Sequence, residues 1–98
     1  MEKLYNSKGQ VAVAVSYGFG AGWSTWEDVD PMDKKYNELI YKEQWEDLYR
    51  LLEKDSIHSG GVADIELVWL DKGTEFIITE YDGAESIEYK DKIQWRTA

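Results

Sequence analysis

The chain has no cysteine. A disulfide framework and a thiolate nucleophile are therefore excluded, and a cytosolic setting is the default expectation. There is one histidine, His58, which leaves too few His and Cys side chains for their usual metal sites. His58 is also far in sequence from the hydroxyls of Ser24 and Thr25, so nothing nominates a Ser–His pair. We expect neither metal nor cofactor, and no enzymatic activity. No apolar run is long enough to cross a bilayer, and Met1, Glu2, Lys3, Leu4 and Tyr5 lack the apolar centre of a signal peptide. Bases are scarce: 11 against 20 acids, a net charge of −9 over 98 residues. That balance argues against general binding of polymeric nucleic acid, which rests on neutralising phosphates. It leaves open a small anion held by local donors, or an acidic surface that imitates nucleic acid and occupies a basic protein.

What the chain does have is aromatic rings, with five Trp and seven Tyr, and one stretch on which the rest is organised. Residues 11–26 read VAVAVSYGFGAGWSTW. The first half alternates small and β-branched residues, which suits a strand packed on both faces. The second half sets Gly18, Gly20 and Gly22 among Tyr17, Phe19, Ala21, Trp23 and Trp26, with Ser24 and Thr25 near its end. A glycine-rich turn leaving a buried strand lets backbone approach a ligand closely. Successive N–H groups there can make an anion nest, and the rings offer stacking faces. The stretch reads as a binding site for a small, flat anion. The same glycines also suit a bulge or tight turn, and the rings a core. Neither phosphate-loop pattern applies: Gly22 is followed by Trp23 rather than Lys, and only Ala21 separates Gly20 from Gly22.

Past the loop, Asp30 is expected to cap a helix with Pro31 at its first position. The helical stretch runs to about Asp55 and carries two apolar stripes. Met32, Tyr36, Leu39 and Ile40 form one; Tyr41, Trp45, Leu48, Tyr49 and Leu52 form the other, rotated from it. One kinked helix or two helices joined near residues 42–44 would both satisfy this, and packing into a core is the expected role of these rings. Gly60-Gly61 punctuates the helix end, and His58 is expected to be an exposed loop residue. Residues 63–70, 75–81 and 86–89 read as strands of a β-meander, with Asp71-Lys72-Gly73-Thr74 and Asp82-Gly83 as turns and Ile93-Gln94-Trp95 as a last short piece. The expectation is a small single α+β domain over residues 1–98, in the order β-α(α)-β-β-β. It would have an antiparallel or mixed sheet with a helix or helix pair on one face. Exposed sheet edges would favour self-association. The acidic clusters Glu27-Asp28-Asp30 and Glu43-Glu46-Asp47 read as solvated faces. The first could accept hydrogen bonds from base N–H or ribose hydroxyls, with Lys34, Lys35 and Arg96 as candidate compensating cations.

The Ser16-x-Gly18-Phe19-Gly20-Ala21-Gly22-Trp23-Ser24-Thr25-Trp26 segment, with Gly60-Gly61, Val68-Trp69, Gly73-Thr74-x-Phe76 and Glu80-Tyr81-Asp82-Gly83-x-Glu85-Ser86-Ile87, resembles a group of small tailed-phage proteins. The likeness covers most of the chain outside the helical middle, and the glycine segment is its specific part. Within that group it resembles anti-CBASS sponges, immune-evasion proteins that sequester cyclic dinucleotides such as 3′3′-cGAMP. The resemblance implies a non-enzymatic homo-oligomer, such as a tetramer, acting in the cytoplasm of the infected bacterial host. It would bind the nucleotide without degrading it, in pockets between subunits. On this reading bases stack on Tyr17, Phe19, Trp23 or Trp26. Backbone N–H groups from Gly20 to Trp23, with the Ser24 and Thr25 hydroxyls, hold phosphate, and the ligand-binding set is Tyr17, Gly18, Phe19, Gly20, Ala21, Gly22, Trp23, Ser24, Thr25 and Trp26. The alternative is an acidic nucleic-acid mimic that inhibits a host DNA-binding protein.

Overall fold

A computed structural model describes residues 1–90 and residue 98. The elements are β1 (Val11–Ser16), α1 (Lys34–Tyr41), α2 (Trp45–Lys54), a 3-10 turn (Gly60–Asp64), β2 (Ile65–Leu70), β3 (Phe76–Tyr81) and β4 (Ala84–Tyr89). The α+β class and the expected order hold. The strands form two antiparallel pairs, β1 with β2 and β3 with β4, where a continuous meander would also have joined β2 to β3. The short piece at residues 93–95 lies outside the described residues.

The alternation in β1 sets the layering. All six of its residues are buried. Ala14 joins Trp23, Tyr36, Ile40, Leu48, Leu52, Val62 and Ile65 in a cluster on the helix side. Val13 and Val15 pack with Leu70 on the opposite side, against Phe76, Ile78, Ile87 and Tyr89 of the hairpin. Period-two geometry sends neighbours to opposite faces, so β1 is the middle of three layers: helices, the β1–β2 pair, then the β3–β4 hairpin. β2 follows the same rule from Val11↔Leu70 to Ser16↔Ile65, with Ile65 and Leu67 toward the helices and Val68 and Leu70 toward the hairpin.

Of the two helical alternatives, the structure shows two helices. Glu43 takes a left-handed φ of 55°. Gln44 N donates to Leu39 O at 2.9 Å and Glu43 N to Ile40 O at 3.1 Å, the paired bonds of a Schellman stop. Ser56, at φ 58°, ends α2 the same way, with Ile57 N on Leu52 O at 2.9 Å. Gly60-Gly61 lies beyond that stop, in the 3-10 turn. Two expectations need correction. The cap of α1 is Asp33, whose side chain accepts from Lys35 N at 2.9 Å, not Asp30. Pro31 O is taken by Ala14 N at 2.8 Å and by Asn37 Nδ2 at 2.9 Å, so it cannot begin the helical ladder, and residues 30–33 form a turn. The rings of the second stripe also depart from core packing: Leu48 and Leu52 are buried, while Tyr41 at the end of α1 and Trp45 and Tyr49 of α2 are exposed. Tyr41 meets Trp69 edge-on at 5.8 Å.

Both expected turns form. Thr74 N donates to Asp71 O at 3.0 Å. Asp82 and Gly83 both take positive φ, 49° and 86°, as a tight hairpin turn that matches strand twist requires.

Candidate functional site: the glycine loop and its carboxylate

The loop after β1 is fastened to the rest of the chain at several points. Ser16 Oγ donates to Gly61 O at 2.6 Å, and Tyr17 N donates to Asp64 O at 3.2 Å. Gly20, at φ +104°, donates its N–H to Asp82 O at 2.7 Å, which joins the loop to the hairpin turn. Gly61 packs so closely on Gly22 that a Cβ there would overlap the Gly22 carbonyl. These glycines allow one backbone to lie against another.

The decisive residue is Glu85, on the inward face of β4 and 2% exposed. One carboxylate oxygen accepts from Ser16 N at 2.9 Å. The other accepts from Trp23 N at 2.8 Å, Thr25 N at 3.1 Å and Thr25 Oγ1 at 2.6 Å. Converging N–H groups in such a loop form an anion site, and here the anion is the protein's own side chain. Of the expected donors only Trp23 N and the Thr25 hydroxyl take part; Gly20 N binds Asp82 O instead, and Ser16 N and Thr25 N complete the set. A period-two count from Ile87 and Tyr89, which face the core, places Glu85 on that same face and was the available signal.

The other site residues divide by exposure. Trp23 is fully buried, packed edge-on to Tyr36 with centroids 5.8 Å apart, so its ring offers no face to a ligand. Tyr17, Phe19 and Trp26 are 44%, 76% and 50% exposed. Trp26 Nε1 donates to Glu80 Oε2 at 3.3 Å, and the same oxygen accepts from Gly83 N at 2.9 Å. Tyr81, at 76% exposed, adds a ring from the hairpin that sequence reading did not place here. Partial burial, with Glu66 and Tyr89 adding to it, pushes the Tyr17 phenol above its ordinary value. Ser24 and Thr25 line an open groove of about 580 Å³ together with Asp28, Asp30, Pro31 and the Phe76 end of β3.

The charges around this end are acidic. Asp28 and Asp30 stand in the groove, Glu80 binds Trp26, and Asp64 lies against Gly18. Lys34 is paired with Glu2 at 3.7 Å and Lys35 with Asp55 at 2.9 Å; Arg96 lies outside the described residues. His58 is exposed, its N–H donating to Glu27 Oε1 at 2.6 Å and its Nδ1 accepting from Gly60 N at 3.1 Å. Among the described residues no group of three or more His, Cys, Asp or Glu is placed to hold a metal ion, and no helix is long and apolar enough to cross a membrane. No family model, curated protein or solved structure matches the chain.

Proposed function

We propose that this chain works by stoichiometric binding at its loop–hairpin end, and that its partner is the cationic face of a nucleic-acid-binding protein, which it occupies as an acidic decoy. The observation that carries this reading is the closure of the loop's donors on Glu85. The donors Trp23 N, Thr25 N and Thr25 Oγ1 already hold a carboxylate, and a phosphate in the adjoining groove meets Asp28 and Asp30. A guanidinium or ammonium meets carboxylates together with the exposed faces of Phe19, Trp26 and Tyr81, which attract cations through their ring quadrupoles. The net charge of −9 would steer such an encounter and make it sensitive to salt. The test is displacement of fluorescent duplex DNA from a panel of purified bacterial DNA-binding proteins. The wild-type chain should release DNA from one of them, and Asp28→Lys/Asp30→Lys should not. No displacement from any member would end the decoy reading.

Capture of a cyclic dinucleotide such as 3′3′-cGAMP is the second reading, favoured by the exposed rings of Tyr17, Phe19 and Trp26 on the glycine loop. Each base stacked on such a ring contributes about 1–3 kcal/mol. With Lys34 and Lys35 paired elsewhere, cations from another subunit of a homo-oligomer would have to meet the phosphates. Incubation with candidate nucleotides, heat denaturation and chromatography test it. Unchanged nucleotide recovered from the protein supports a sponge, altered nucleotide indicates a phosphodiesterase, and no bound nucleotide removes both. In either main reading the chain is a phage protein acting in the cytoplasm of the infected host.

A further inference from the structure

Among the described residues each strand of the β3–β4 hairpin pairs only with the other. Lys90 N donates to Glu75 O at 3.2 Å, and the register runs from Phe76↔Tyr89 to Tyr81↔Ala84. Bonded and non-bonded pairs alternate along an antiparallel ladder. Ile77, Thr79 and Tyr81 therefore turn their backbone groups toward β4, while Phe76, Ile78 and Glu80 turn theirs away. Among the described residues no strand pairs with that outer edge of β3. The 580 Å³ groove runs beside it, with Phe76, Ile77 and Ile78 on one wall and residues 24–31 contributing the other.

We propose that this groove docks an extended, lysine- or arginine-bearing segment of a partner protein, which adds to β3 as a further strand. The inference rests on the cationic-partner reading above and names the face that reading uses. Main-chain bonds to the free edge would supply affinity, and alternate side chains of the guest would supply specificity. The charged groups lining the groove are Asp28 and Asp30, with no Lys or Arg among its lining residues. Ile77, 54% exposed, offers an apolar contact in the same groove. A second copy of this chain fits worse. It carries −9 itself, and pairing β3 with β3 about a two-fold axis would bring two sets of Asp28 and Asp30 to one seam.

The test uses a fluorescein-labelled peptide of about seven residues, roughly the length of a strand, alternating lysine and valine. A version N-methylated on alternate amides and a glutamate–valine version serve as controls, and binding is read by anisotropy at about 0.15 M salt. The lysine peptide should bind, and N-methylation should weaken it at least about tenfold by removing main-chain donors. Asp28→Asn/Asp30→Asn should weaken it about fivefold, Ile77→Lys should abolish it, and Glu46→Gln/Asp47→Asn should change it less than about twofold. No binding, binding indifferent to N-methylation, or equal loss in the Glu46/Asp47 variant would overturn the groove. So would a dimer in analytical ultracentrifugation that Ile77→Lys dissolves, since the occupant would then be a second copy. The two proposals fail separately. DNA displacement that survives Asp28→Asn/Asp30→Asn removes the groove and keeps the decoy; peptide binding in the groove without displacement of DNA does the reverse.

Discussion

Replacing Glu85 by Gln tests the central claim about the loop, that its donors are held by a buried carboxylate. The amide has one acceptor oxygen where the carboxylate has two. In its better orientation that oxygen keeps Trp23 N, Thr25 N and Thr25 Oγ1, and the NH₂ group then faces Ser16 N, donor against donor. In the other orientation the NH₂ group faces Trp23 N and Thr25 N, and only the Thr25 hydroxyl can turn to accept. The first costs the bond to Ser16 N, about 1–3 kcal/mol for a buried donor left unpaired, and removes charge assistance from the other three bonds. We expect a loss of about 3 kcal/mol by urea unfolding, out of the roughly 5–15 kcal/mol typical of a domain this size. That corresponds to a fall of about 15 °C in Tm. Glu85→Ala should cost more, because Ser16, Trp23 and Thr25 all lose their acceptor. A double-mutant cycle with Thr25→Val should show coupling above about 0.5 kcal/mol. An E85Q protein within about 0.5 kcal/mol of wild type would refute the reasoning, since the four contacts would then not be what closes the loop.

Glu43→Gly should raise stability by about 0.5–1 kcal/mol in urea melts, because glycine relieves the left-handed strain at the end of α1; no gain would mean the Schellman stop does not persist in solution. Gly83→Ala should cost about 2 kcal/mol or more, since φ is 86° and the new Cβ would meet Ala21 N at 2.5 Å; a neutral result would place the hairpin turn away from the loop. The Tyr36–Asp55–Lys35 cluster, with Tyr36 OH donating to Asp55 at 2.6 Å, gives a pH dependence with two limbs. Hydrogen bonds from Tyr36 and Lys35 lower the Asp55 carboxyl, so its contribution is present above about pH 4 and lost as pH falls through the lowered value. The hydrogen bond that Lys35 donates to Asp55 raises Lys35, and burial followed by the bond to Asp55 raises Tyr36. Their contributions are present below about pH 10 and lost as pH rises through the raised values. Unfolding midpoints across pH should therefore show Asp55→Asn with shallower acid and alkaline limbs than wild type, and identical limbs would count against the cluster.

Local signals carried most of the fold. The alternation in VAVAVS, the Asp82-Gly83 turn and the apolar stripe of Tyr36 and Ile40 each depend on a few neighbouring residues, and each gave its element. The misplaced features depend on partners distant in sequence. Asp30 and Pro31 have the residue types of a helix start, but Ala14 takes the Pro31 carbonyl, and no window of residues around 31 contains that fact. Tyr41, Trp45 and Tyr49 have helical spacing and still stand exposed. Leu48 and Leu52 already fill the helix-side cluster next to α1, and with only three thin layers no further surface remains to cover the rings.

The same distinction explains why the glycine loop reads as a ligand site in sequence and as a closed nest in structure. A pattern of glycines and hydroxyls specifies donors; it says nothing about the acceptor, and in a chain with 20 acids the acceptor can come from any distant segment that reaches the loop. Here it arrives from β4, some 60 residues away in sequence. It arrives because the tight turn at Asp82-Gly83 fixes the parity of β4, which sends Glu85 inward with Ile87 and Tyr89. A shift of one residue in that turn would send Ser86 to the core and leave three loop N–H groups without Glu85. The hairpin register and the loop conformation are thus one cooperative unit, and the groove beside β3 inherits its shape from both. Binding at that groove is therefore expected to be weakened by substitutions at Glu85 or Gly83, which do not line it. A folded Glu85→Gln protein should accordingly bind the lysine–valine peptide several-fold more weakly than wild type, even though Asp28, Asp30 and Ile77 are intact. Equal affinity would show that the groove does not depend on the carboxylate that closes the loop.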